Sequence, residues 1–211
     1  MALTVPMGRD QAVARQKWLT GATIGWNVVE GAVAVAAGVA AGSVSLIGFG
    51  LDSGIEVSAA VILAWRLAQE RRTGCKQDAD RRAQRLIAVS FAALAVYVGV
   101  ESVRDLVLAH RPNGSPVGIA IAALSLVVMP ALALAKRRLA PVVGSRAVEA
   151  EATQTVLCAL MSGGLLLGLG ANAAQGWWWA DPLAGLFIAS LAAYETVNVW
   201  RANSLEDTCC G

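Results

Sequence analysis

The sequence predicts an all-α membrane protein with six transmembrane helices and both termini in the cytoplasm. Three observations predict it. Of the 211 residues, 56% are hydrophobic and 15% are charged, and mean hydropathy is +0.57, outside the balance of a soluble domain. The charges fall in short blocks separated by apolar stretches of about 20 to 26 residues, each long enough to cross a hydrocarbon core about 30 Å thick. Lys and Arg collect in the amino-terminal segment, the 69–85 connection, the 136–146 connection and the tail. By the positive-inside rule all four face the cytoplasm.

In chain order the spans are expected at 18–41, 44–68, 84–109, 115–136, 147–172 and 178–200, which makes residues 1–17 a cytoplasmic segment and 201–211 a short cytoplasmic tail. The first stretch is too long for the apolar core of a signal peptide and has no convincing cleavage site, so it is expected to stay as a span. Residues 18–51 carry a single charge, Glu30, and are too long for one crossing, so Gly42 and Ser43 are expected to turn the chain back in a tight outer hairpin. RLAQERRTGCKQDADRRAQR reads as a polar cytoplasmic connector and HRPNGSPVG as an outer loop rich in turn residues. AKRRLAPVVGSRA returns to the cytoplasm, and the three tryptophans of WWWADP suit an aromatic belt at the outer interface.

The net charge of +2 then reflects topology, and a nucleic-acid partner is not expected. Cys75, Cys209 and Cys210 fall on the cytoplasmic side and Cys158 inside the fifth span, which argues against a disulfide framework. GATIG, GVAAG, GLDSG and GLLLG match the spacing of small residues that lets transmembrane backbones approach closely, either within the core or at a dimer seam.

Polar residues inside the apolar stretches carry the functional argument. GFGLDSGIEVSAAVILAWRL places Asp52 and Glu56 one turn apart. Counting 1.5 Å per residue, they lie ~12 Å and ~18 Å from the outer end of the second span. An uncompensated charge at that depth costs roughly 2.5 to 3.5 kcal/mol on insertion scales, so a positive partner is expected. In the fifth span Glu151, Gln154 and Cys158 are spaced by three and four residues and share one face. The two helices run antiparallel, so if they pack together Asp52 meets Cys158 at similar depth and Glu56 meets Gln154. Two carboxylates, a thiolate and an amide oxygen suit zinc or cadmium better than magnesium or calcium. The alternatives are acids held neutral as helix glue, and a cysteine that serves as a small apolar packing group.

Glu30, shortly after Asn27 in the first span, could reach the same cavity as a ligand or a gate. Glu101, Arg104 and Asp105 near the outer end of the third span read as a structural pairing group, and Glu195 as part of the cytoplasmic end of the sixth. His110, the single histidine, falls in an outer loop, away from the midplane. Cys209 and Cys210 beside Glu206 and Asp207 make an incomplete metal site.

These residues resemble the cation diffusion facilitator family of divalent-metal transporters over all six spans. SVSLIGFGLDSGIE looks like the second-span signature, SRAVEAEATQTVLC occupies the place of the fifth-span signature, and WWADPLAGLFIA is similar to the motif opening the sixth. The resemblance implies that Asp52, Glu56, Gln154 and Cys158 hold the ion and that Glu151 matches a frequent acid just before the fifth-span motif. Members commonly show His or Asp, then Asp, where this chain has Gln154 and Cys158.

The resemblance further implies a secondary transporter, not an enzyme, that exports Zn2+, and with it Cd2+, from the cytoplasm in exchange for protons by alternating access, with the metal as cargo and no prosthetic group. The cell (inner) membrane and a homodimer through transmembrane contacts are the expected setting. The expected form lacks the family's cytoplasmic carboxy-terminal domain, because about a dozen residues follow the last span. A membrane subunit that modulates a partner protein without transporting is the competing expectation.

Overall fold

The computed structural model describes residues 9–73, 77–143 and 146–205, with side chains chiefly over 11–61, 85–142 and 154–201. Among these residues there are six helices and no strand: α1 Arg9–Ala41, α2 Val44–Thr73, α3 Gln77–Val107, α4 Pro116–Val143, α5 Arg146–Gln175 and α6 Ala180–Leu205. Segments 1–8 and 206–211, with Cys209 and Cys210, lie outside the described residues, as do Cys75 and the side chain of Glu151.

Helix continues well past the apolar stretches at one end of the bundle. The connections expected over 69–85 and 136–146 are largely helical, α2 reaching Thr73, α3 starting at Gln77, α4 reaching Val143 and α5 starting at Arg146. Arg, Lys, Gln, Glu and Ala are good helix formers, so a helix need not end where its apolar stretch does. Among the described residues, four helical stretches are long and apolar enough to cross a membrane: Ala14–Ala41, Pro116–Leu139, Gln154–Gln175 and Ala180–Arg201. Apolar side chains such as Val28, Val29, Val39, Val127, Leu167 and Trp200 point outward. This surface suits hydrocarbon, and the chain is an integral membrane protein.

The turn at Gly42 has a specific chemistry. Gly42 takes φ +67°, its N–H donates to Val39 O at 3.4 Å, and Ser43 N–H donates to Gly38 O at 3.0 Å. This pair of bonds closes a helix with a left-handed residue, a conformation that costs glycine nothing. The same end of the bundle gathers the other connections: Asn113 N–H donates to Ala41 O at 2.8 Å, and Asn172 Nδ2 donates to Pro112 O at 3.1 Å.

α1, α2, α5 and α4 contact one another in a closed ring, and α3 and α6 pair beside it against α2 and α5. Small residues set the closest approaches. A Cβ on Gly50 would lie 2.9 Å from Gly31 O, and one on Gly38 would lie 2.8 Å from Ile47 N, so α1 and α2 touch backbone to backbone. One on Gly168 would lie 2.9 Å from Ala180 O, where α5 meets α6. Gly38, Gly50, Gly164 and Gly168 therefore serve packing within the chain, whereas Gly21 and Gly25 of GATIG and Gly54 of GLDSG have nothing within 4 Å.

Candidate metal centre

Because side chains four residues apart lie on one helix face, Asp52 and Glu56 enter the ring together from α2. The tight α1–α2 and α4–α5 contacts bring α5 across from them. One ligand atom each from Asp52, Glu56 and Cys158 lies within 4.8 Å of the others, and all three residues are buried. A tetrahedral ion with bonds of about 2.0–2.3 Å holds its donors about 3.3–3.8 Å apart, so closing round a zinc-sized ion needs at most a small inward shift. Gln154 is half-buried one turn along α5 from Cys158.

Polar atoms around this group are organised by α1. Asn27 Nδ2 donates to Glu56 Oε2 at 2.6 Å, fixing that carboxylate from the opposite wall. Ser53 Oγ has two acceptors for its one proton, Glu30 Oε2 at 3.3 Å and Phe49 O at 3.2 Å. Glu30 is completely buried and stands outside the three-donor group, with Trp26 and Ser125 beside it. Asn27 Oδ1 and Asp52 Oδ1 are buried without a hydrogen-bond partner, and Trp26 Nε1 and Ser125 Oγ face Glu30 without closing hydrogen bonds of good geometry. Folded proteins leave few such atoms. Their concentration makes this the polar chamber of the ring.

Two residues of this neighbourhood escape a reading by composition. Lys136, expected in a cytoplasmic loop, is fully buried inside α4. Its Nζ donates to Thr155 Oγ1 at 3.3 Å, and its charge attracts that of Glu56. The signal was its spacing: Ala122, Ser125, Met129, Ala133 and Lys136 recur every three or four residues and all are buried, while Arg137 and Arg138 are exposed. Glu195, expected at the cytoplasmic end of α6, lies near enough for its charge to bear on Asp52.

At the end of the bundle that carries Gly42, Asp181 is fully buried at the start of α6 and accepts hydrogen bonds from Ser43 Oγ at 2.6 Å and Ser45 Oγ at 2.5 Å. The serine-rich start of α2 and the acid of the sixth-span motif are thus parts of one contact. A family model for the cation efflux transmembrane domain matches residues 22–206. The chain belongs to the cation efflux family. No curated protein matches it. Members of this family are transporters that carry metal cations, so the ion is substrate, and the buried donors of a cation efflux protein need supply no covalent chemistry.

The remaining candidates separate by position. Glu101 and Arg104 form an ion pair at 3.1 Å on the surface of α3. His110 is exposed in the connection after α3, against Gly42, where a Cβ would lie 3.2 Å from its Nε2. Neither belongs to the group in the ring.

Proposed function

We propose that this cation efflux protein is a six-span secondary transporter, with both termini cytoplasmic, that exports divalent transition-metal ions, zinc and with it cadmium, in exchange for protons. The transmembrane unit is 18–200, with 1–17 and 201–211 as cytoplasmic flanks. The observation that carries this reading is the convergence of the Asp52, Glu56 and Cys158 donors in the buried interior of an apolar bundle. Charged groups at such depth are costly and so mark a transport path. Asp52, Glu56 and Cys158 bind the ion directly, Gln154 is the fourth donor, and Glu30 and Glu151 are acids of the access route. A borderline-soft ion fits a set with one thiolate and carboxylates.

Transport requires the site to face each side in turn, which rocking of helix groups about a fixed site provides. Ligands must be deprotonated to bind, so protons arriving from outside displace the ion. Without a histidine in the chamber, the carboxylates carry that exchange. Gly21 and Gly25 of GATIG, where an added Cβ would meet nothing within 4 Å, are the small-residue pair left for a homodimer seam; one-step photobleaching of single labelled particles in liposomes would remove the dimer from this reading.

The test is flux of zinc, cadmium and manganese into proteoliposomes holding purified wild-type or Asp52→Ala protein. Metal-dependent flux lost in the variant is expected. Equal flux from both sinks the transporter reading and leaves a membrane subunit that acts on a partner protein.

A further inference from the structure

Lys136 is a costly residue where it stands. A buried ammonium must be compensated, and an apolar side chain of similar length would fill the same volume without that demand. Topology does not require it either. Arg137 and Arg138, its neighbours, are exposed and supply the positive charge of that end of α4. The face that turns Lys136 inward also carries Ser125 and Met129, and Ser125 stands beside Glu30. The amine bonds Thr155, which lies on α5 between Gln154 and Cys158.

We infer that Lys136 is a fixed counter-charge of the metal site, which weakens divalent-ion binding and so sets the rate of release. This inference rests on the metal-site reading above. With the ion present, a +1 charge in the same low-dielectric chamber repels it. With the ion gone, the attraction between Lys136 and Glu56 and the hydrogen bond from Asn27 stabilise the carboxylate left behind. Both effects favour the empty site over the loaded one. A transporter needs that balance, because binding must be tight enough to capture and weak enough to let go. Lys136 is therefore a positioning residue, acting through Glu56 and through the field at the ion.

The experiment is zinc titration calorimetry and stopped-flow chelator release at one pH on the purified full chain in nanodiscs, for wild type, Lys136→Met, Lys136→Gln, Lys136→Arg and Asp52→Asn. Lys136→Met and Lys136→Gln are expected to bind about ten- to a hundred-fold more tightly with slower release, and Lys136→Arg to stay within about threefold of wild type. Neutral variants that bind within about twofold of wild type, or more weakly, overturn the inference. If both neutral variants fail to fold while Lys136→Arg folds, the charge serves the fold, which also overturns it. Wild-type protein that binds no zinc, or Asp52→Asn that binds as well as wild type, breaks the metal-site reading itself. Loss in Asp52→Asn with unchanged Lys136 variants breaks only the counter-charge.

Discussion

The ring of α1, α2, α5 and α4 and the pair of α3 and α6 solve opposite packing problems. Inside the ring, Asn27, Glu30, Asp52, Ser53, Glu56, Ser125, Lys136 and Thr155 are all buried. The seam of the pair is apolar, built from Phe91, Leu94, Val98, Ala189 and Ala192, with Ile55 of α2 packed against it. Near the end of α3, Glu101 and Arg104 meet at the surface instead. Lipid tails are as apolar as leucine, so the seam is held by close packing more than by the hydrophobic effect. The ring is held by backbone approach at Gly31, Gly38 and Gly50 and by polar bonds such as Asn27 to Glu56. Most of the buried polarity gathers in the ring, while the pair buries Ser102 and, where α6 begins, Asp181.

The contrast is broken most directly in the ring. Asp52→Asn and Glu56→Gln each remove a charge and a strong ligand, and each is expected to abolish measurable zinc binding in calorimetry while the protein keeps its melting temperature. Unchanged affinity in both variants would move the site away from α2. A smaller effect is expected from acidification alone. Because protons compete with the ion for the same carboxylates, wild-type zinc affinity should weaken steadily from about pH 8 to about pH 5.5. A flat profile would rule out carboxylate-based exchange.

Selectivity should respond less than affinity. Cys158→Ser replaces a soft sulfur by oxygen, so the ratio of cadmium to manganese affinity is expected to fall by about tenfold. A ratio that stays put would assign Cys158 to packing, in keeping with its place in the apolar cluster of Leu46, Phe49 and Met161. The smallest effect on binding belongs to the pair. Leu94→Ala opens a cavity in the apolar seam and should cost about 2–5 kcal/mol of stability in a detergent-unfolding assay, with zinc affinity unchanged. An affinity loss there would show that the two compartments are coupled already in the empty protein.

Local pattern was enough for much of the molecule. The apolar stretches of α1, α4, α5 and α6, the turn at Gly42, the shared face of Asp52 and Glu56 and that of Gln154 and Cys158 were all legible, because each depends on spacing along a single helix. The family was legible too, since its signatures are short and contiguous. Helix ends on the charged side were not, because hydropathy reports where lipid stops and helix propensity does not stop there.

What the chain alone left open was decided by which helices touch. Only the contact of α2 with α5 brings Cys158 to Asp52 and Glu56, and only the contact of α2 with α6 joins Ser43 and Ser45 to Asp181. Lys136 read as one basic residue of three until packing turned it inward and its neighbours outward. Periodicity fixes which residues share a face of one helix. Which face meets which neighbour depends on how closely backbones approach at glycines far apart in sequence, and that is a property of the folded bundle.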